Sequence, residues 1–164
     1  PIVTLTNATS GCQFIGCTFD GSAGTVTLGI SATASPFLKV IDCEFFGTFA
    51  TGYIYFGAGK ADGTKIEGCK MGGSSGYGIK AASTMTSSYP SYWKDNVVSV
   101  ATTGIVLDDD SDLVYTVGNR GANAATLTNY AGRTKICDLN EDRAIDNILT
   151  GADISVRVPL ITVS

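Results

Sequence analysis

Histidine is absent from these 164 residues. That excludes imidazole-based triads, histidine general bases, and the zinc sites that depend on imidazole. Charge is scarce as well: 16% of residues are ionisable as Asp, Glu, Lys or Arg, with 11 cations against 15 anions, a net charge of −4. Nucleic acid and anionic membrane surfaces demand clustered Lys and Arg, so neither is an expected partner. No apolar run approaches the ~20 residues of a spanning helix. Pro1-Ile2-Val3-Thr4 is no basic leader followed by a hydrophobic stretch. The chain therefore reads as soluble, mature or a fragment. Helical periodicity is weak, while Gly (20 residues), Thr, Ser, Val and Ile abound, so short strands joined by tight turns are expected.

What is present is a period. Cys17, Cys43 and Cys69 stand 26 residues apart (43 − 17 and 69 − 43), each inside one local pattern: Phe14-Ile15-Gly16-Cys17-Thr18-Phe19, Val40-Ile41-Asp42-Cys43-Glu44-Phe45 and Ile66-Glu67-Gly68-Cys69-Lys70-Met71. Trp93-Lys94-Asp95-Asn96-Val97-Val98 continues the series with Asn96 in the cysteine column, and Asn119 returns to it after a shorter step of 23 (119 − 96). A fixed period in this range is the signature of a solenoid, in which every repeat stacks on the next to bury its apolar side. The flanking columns, Phe14, Val40, Ile66, Trp93 and Phe19, Phe45, Met71, Val98, are apolar throughout and read as core. The residue before the column is Gly or Asp each time, as a bend at positive φ requires. Thr18, Glu44, Lys70 and Val97 should then face outward, with Glu44 beside Lys70 on the next coil.

Five cysteines without a CxxC pair are an odd set. A coil spacing of ~4.8 Å aligns the column side chains in one direction, which suits an inward ladder of buried thiols better than disulfides. A second strand is expected in each coil at Thr25–Leu28, Tyr53–Phe56, Tyr77–Lys80 and Gly104–Leu107. The stretches 31–36, 57–63, 81–90 and 108–112 are expected as loops. Past Gly121 the period fades: Ala124–Tyr130 reads as a strand, Asn140–Leu149 as a short capped helix, and Ile154–Val158 as an edge strand before Pro159. The expected division is 1–121 as a parallel β-helix and 122–164 as a capping or assembly segment that covers the exposed end of the stack.

The recurring apolar residue, two bend residues, inward Asn or Cys, outward residue and inward aromatic, over roughly residues 12–119, resembles the right-handed parallel β-helix of the pectin-lyase-like superfamily. The resemblance implies an all-β, single-stranded right-handed parallel β-helix of about five coils with a C-terminal cap. It also implies one of several activities, since the fold carries polysaccharide lyases, glycoside hydrolases, phage tailspikes and purely structural virion proteins. The lyases work with Asp-bound Ca²⁺ and a Lys or Arg base, and the tailspike hydrolases with Asp and Glu pairs. In this chain Asp42 and Asp95 share a column with Gly68 between them, and Glu44 faces Lys70, so no outward carboxylate pair forms.

The expectation that follows is a structural and adhesive module of a virion surface, such as a spike, fibre or capsid decoration, located on the particle or otherwise extracellular. It would form a homo-oligomer, a trimer by preference, or bind a capsid or tail protein. The alternative is an enzyme or lectin acting on surface polysaccharide through Asp108, Asp109, Asp110 and Asp112. In that alternative Asp108, Asp110 and Asp112 would hold Ca²⁺, whereas an exposed acidic turn needs no metal. Tyr53 and Tyr55 share a face by strand alternation and form the candidate carbohydrate-binding pair.

Overall fold

The computed structural model describes residues 1–8, 11–82, 85–86, 88–99, 102–107, 114–121 and, in backbone only, 126–129 and 138–142. The expected edge strand Ile154–Val158 and the acidic turn Asp108–Asp112 lie outside these residues. In chain order the strands are β1 (Val3–Thr6), β2 (Gln13–Ile15), β3 (Thr18–Thr33), β4 (Lys39–Ile41), β5 (Glu44–Phe56), β6 (Gly59–Lys60), β7 (Lys65–Glu67) and β8 (Lys70–Met71). They continue with β9 (Tyr77–Ala81), β10 (Met85–Thr86), β11 (Ser91–Lys94), β12 (Val97–Val98), β13 (Thr103–Leu107), β14 (Val114–Gly121), β15 (Thr126–Asn129) and β16 (Asp138–Asp142). All described pairings between them are parallel, and no helix occurs among the described residues.

The chain is a parallel β-solenoid of about four turns. Its coils lay strands on three sheets. The first stacks β2, β4, β7, β11 and the start of β14. The second stacks the starts of β3 and β5 with β8, β12 and the end of β14. The third stacks β1, the ends of β3 and β5, β9, β13 and β15. β6 and β10 form a small ladder of their own in the loops between the third and first sheets.

The corner between the first two sheets is set by backbone sterics. Gly16, Asp42, Gly68, Asp95 and Gly118 all lie in the left-handed region, with φ of 60°, 50°, 65°, 56° and 65°. Glycine adopts this conformation freely and aspartate tolerates it better than most residues. The two alternate for a second reason: a Cβ on Gly68 would collide with Asp42 Oδ1, and one on Gly118 with Asp95 Oδ1. Each aspartate thus occupies space that only a glycine in the next coil leaves open.

After this bend the column residue turns inward, as its period predicts. Cys43, Cys69, Asn96 and Asn119 are buried, and Cys17, in the first coil of the ladder, is half-buried. Thiol and amide serve one purpose. Cys43 Sγ donates to Phe14 O and Cys69 Sγ to Val40 O, both at 3.4 Å, while Asn96 Nδ2 donates to Ile66 O (3.1 Å) and Asn119 Nδ2 to Trp93 O (2.8 Å). Every acceptor is the carbonyl of the apolar column residue one coil earlier. Asparagine does more, because its Oδ1 also accepts the column N–H of the earlier coil: Cys69 N at 3.0 Å and Asn96 N at 3.1 Å. Those N–H groups sit where the bend interrupts the strand ladder and would otherwise be buried without an acceptor.

Packing fills the interior in files. Ile30, Ile54, Ile79 and Ile105 stand in register and are fully buried, at about 1.5–3 kcal/mol of transfer free energy each. Phe19 and Phe45 stack at 4.5 Å with an interplanar angle of 9°. Thr25–Leu28 is strand as expected, in the bulged middle of β3 and paired with β5 through Val26 and Leu28, but the isoleucine file shows that the later coils' second strands align with Ile30. Ser31–Thr33, expected as loop, belong to the same strand. At the other end, β15 confirms a strand within 124–130, and β16 places Asn140–Asp142 in a strand where a helix is expected. β15 and β16 add to the ladders of β13 and β14 beyond Gly121.

Asn96→Ala should be severely destabilising, by about 3 kcal/mol or more, because it orphans Cys69 N–H and strips a side-chain donor from both Ile66 C=O and Asn119 Oδ1, the latter keeping only the backbone N–H of residue 96. Lys70→Ala, on the exposed side of the preceding coil, should stay within about 0.5 kcal/mol. Denaturant melts of the two variants check both values.

Candidate functional site

Strand alternation predicts Tyr53 and Tyr55 outward together, and the structure separates them. Tyr53 is 0% exposed and Tyr55 is half-buried. Alternation fails because β5 turns a corner there, so two consecutive residues, Tyr53 and Ile54, both face inward. In register, Tyr53 lies between Gly29 and Gly78, with Gly104 beyond, and a Cβ on Gly29 would collide with the Phe45 ring that packs against Tyr53. Its ring packs edge-on against Phe45 (5.9 Å) and Phe49 (5.0 Å), and its hydroxyl donates to Gly72 O at 2.9 Å. Burial pushes the phenol up to about 12. Tyr53 is therefore a core residue and no sugar platform.

Exposed aromatic surface gathers elsewhere. On the first sheet every strand sends two residues outward, and the register lines them up as two files along the stack. One file runs Gln13, Lys39, Lys65, Tyr92, Tyr115 and the other Ile15, Ile41, Glu67, Lys94, Val117. Their inward neighbours Val40, Ile66, Trp93 and Thr116 are fully buried. Tyr92 and Tyr115 stack at 5.5 Å with 20° between the rings. Glu67 holds two lysines, Lys94 Nζ at 2.8 Å and Lys65 Nζ at 3.0 Å, and Lys94 also approaches Asp95 at 3.9 Å. The hydrogen bonds from Lys94 and then Lys65 keep the Glu67 carboxyl below its ordinary range, and the same contact raises Lys94.

The corner leading into this sheet carries a second aromatic pair. Phe37 is 45% exposed although its φ of 58° costs a non-glycine residue about 1–2 kcal/mol. Its N–H donates to Asp62 O at 2.6 Å, and its ring covers Gly63, where a Cβ would lie 2.8 Å from Phe37 Cδ1. Across that glycine the ring meets Tyr89, itself 60% exposed, at 6.3 Å. The buried Asp62 carboxylate accepts from the N–H groups of Ser88 and Tyr89, so loops of three successive coils are tied together beneath the two rings.

The files could have been read from the sequence by writing residues i and i + 2 of each first-sheet strand beneath one another at the 26-residue step. The Phe37–Tyr89 pair carried the same signal, since Phe37, Gly63 and Tyr89 stand two steps of 26 apart (63 − 37 and 89 − 63). Among the described residues no group of three His, Cys, Asp or Glu side chains could hold a metal. Asp108, Asp109, Asp110 and Asp112, the alternative catalytic and Ca²⁺ residues, lie outside the described residues. Comparison with protein-family models, curated proteins and solved structures finds no match for the chain.

The buried thiols give an alkaline limit. Desolvation raises Cys43 and carries Cys69 from 9.0 to about 12. Groups whose folded values are raised stabilise fully below their unfolded values and less as pH climbs toward the folded ones. For Cys69 stability should therefore fall between about pH 9 and pH 12, by up to about 1.4 kcal/mol per pH unit, and Cys43 and the raised phenols of Tyr53 and Tyr77 add to the alkaline fall. Thermal melts across that window should show the fall, and Cys69→Ala should make it shallower without abolishing it.

Proposed function

We propose that the chain is a structural and adhesive module of a virion surface, of the spike, fibre or capsid-decoration type, and that its coils follow the right-handed pectin-lyase-like pattern. It acts by presenting a fixed outer face to a sister chain or to a capsid or tail protein. One observation carries this reading: five of the large apolar side chains with substantial exposure, Ile15, Phe37, Tyr89, Tyr92 and Val117, lie on the first sheet or at the corner that enters it. Apolar surface concentrated on one side of a rod is surface meant to be covered.

The rod itself supports the same reading. Its interior is filled by side chains from every described coil, so the outer sheet is a rigid platform whose residues keep their spacing. Adhesion needs such spacing more than it needs a cavity. Antibodies raised against the purified chain should decorate intact particles from its source when viewed by electron microscopy. Particles free of label, together with release of reducing ends or unsaturated products from an acidic polysaccharide by the purified chain, would overturn the reading and establish a glycan-cleaving enzyme.

A further inference from the structure

The geometry points to the outer face of the first sheet as a two-fold interface with a second copy of this chain, the two solenoids lying side by side with their stacking directions parallel; it rests on the reading of the chain as an assembling surface module. The two outward files carry the inference. A two-fold axis parallel to the stack brings the face onto itself, keeps each coil opposite the same coil of the partner, and sets one file against the other.

The chemistry of the files then matches rung by rung. Lys65 comes opposite Glu67 of the partner subunit, and Glu67 opposite the partner's Lys65, giving two ion pairs. Tyr92 comes opposite the partner's Lys94, a cation over an aromatic ring, again twice. Tyr115 meets the partner's Val117, and the alkyl stem of Lys39 lies along the partner's Ile41. Gln13 faces the partner's Ile15, the one rung without a specific match. Because Glu67 already holds lysine on both oxygens, the change is an exchange of partners and not the burial of an unpaired charge.

Other symmetries lose this complement. A two-fold along the strand direction centred on the same coil sets Lys65 against Lys65 and Glu67 against Glu67. A three-fold places the face against a different surface of the next copy, leaving both files unmatched. The charge pattern therefore selects the parallel pair over the trimer that the resemblance suggests.

Charge reversal tests it on the whole chain by light scattering and sedimentation. The wild-type chain should show twice the chain mass. Lys65→Glu and Glu67→Lys should each lose the dimer, since one creates a face of paired acids and the other a face of paired bases. Mixing the two variants should restore a dimer, because each then supplies what the other lacks. That recovery also shows that both variants are folded, and circular dichroism checks the same point independently. A wild-type chain that stays monomeric, a three-chain mass, a Glu67→Lys variant that keeps its dimer, or a mixture of folded variants that does not pair would each overturn the proposal. A monomer would hand the face to a capsid or tail protein or to a glycan. Particle labelling, measured separately, distinguishes failure of this interface from failure of the virion reading.

Discussion

Much in this molecule depends on one hydrogen bond made again in each described coil from Cys43 onward: the donor at the inward column reaches the carbonyl of the apolar residue one coil earlier. A strand ladder alone holds flat stretches of chain. It cannot hold a corner, where the bend turns backbone N–H and C=O groups away from their neighbours and buries them. The column side chain repairs that corner from within. To do so it must point inward immediately after the bend, which is why a left-handed Gly or Asp always precedes it.

With the corner fixed, the rest of each coil is free to vary as long as it returns in time. From the column residue to the isoleucine file the chain uses 13, 11, 10 and 9 residues in successive coils (30 − 17, 54 − 43, 79 − 69 and 105 − 96). From the isoleucine file back to the column it uses 13, 15, 17 and 14 (43 − 30, 69 − 54, 96 − 79 and 119 − 105). Shortening on one side is offset by lengthening on the other for three coils, so the period stays near 26. The added residues go into the loops that carry Asp62, Gly63 and Tyr89. Strand geometry fixes two corners, and the third is where the molecule can place something new.

This division explains which parts were legible in advance. The column, the bend and the two apolar files announced themselves because they repeat at constant spacing and each has a single physical requirement. Cys and Asn at one position looked like a change of chemistry, yet both donate to the same carbonyl. Tyr53 was illegible by alternation because the period-2 rule assumes a straight strand, and β5 bends at that residue. The signal that would have found it is the set Gly29, Gly78 and Gly104 in its own column, a file that otherwise carries no side chain. The first coil's second strand is a strand as expected, but bulges in β3 pair Val26 with Phe49 and Leu28 with Gly52, so it is Ile30 and not Thr25–Leu28 that aligns with the isoleucines of the later coils.

The column has a gradient, and the gradient has a mechanical meaning. Toward the first coils its members are thiols, weak both as donors and as acceptors; toward the later coils they are amides that donate and accept strongly. A force drawn along the stack loads the coils one after another, as in opening a zipper. The Cys17 coil, whose thiol reaches Ile15 O of its own strand at 3.6 Å and no carbonyl of an earlier coil, is then the first to peel, and the pair of asparagines is the last barrier. Stretched as a single molecule, such a rod would yield in small steps before a larger one, giving way at one end while the other keeps its grip.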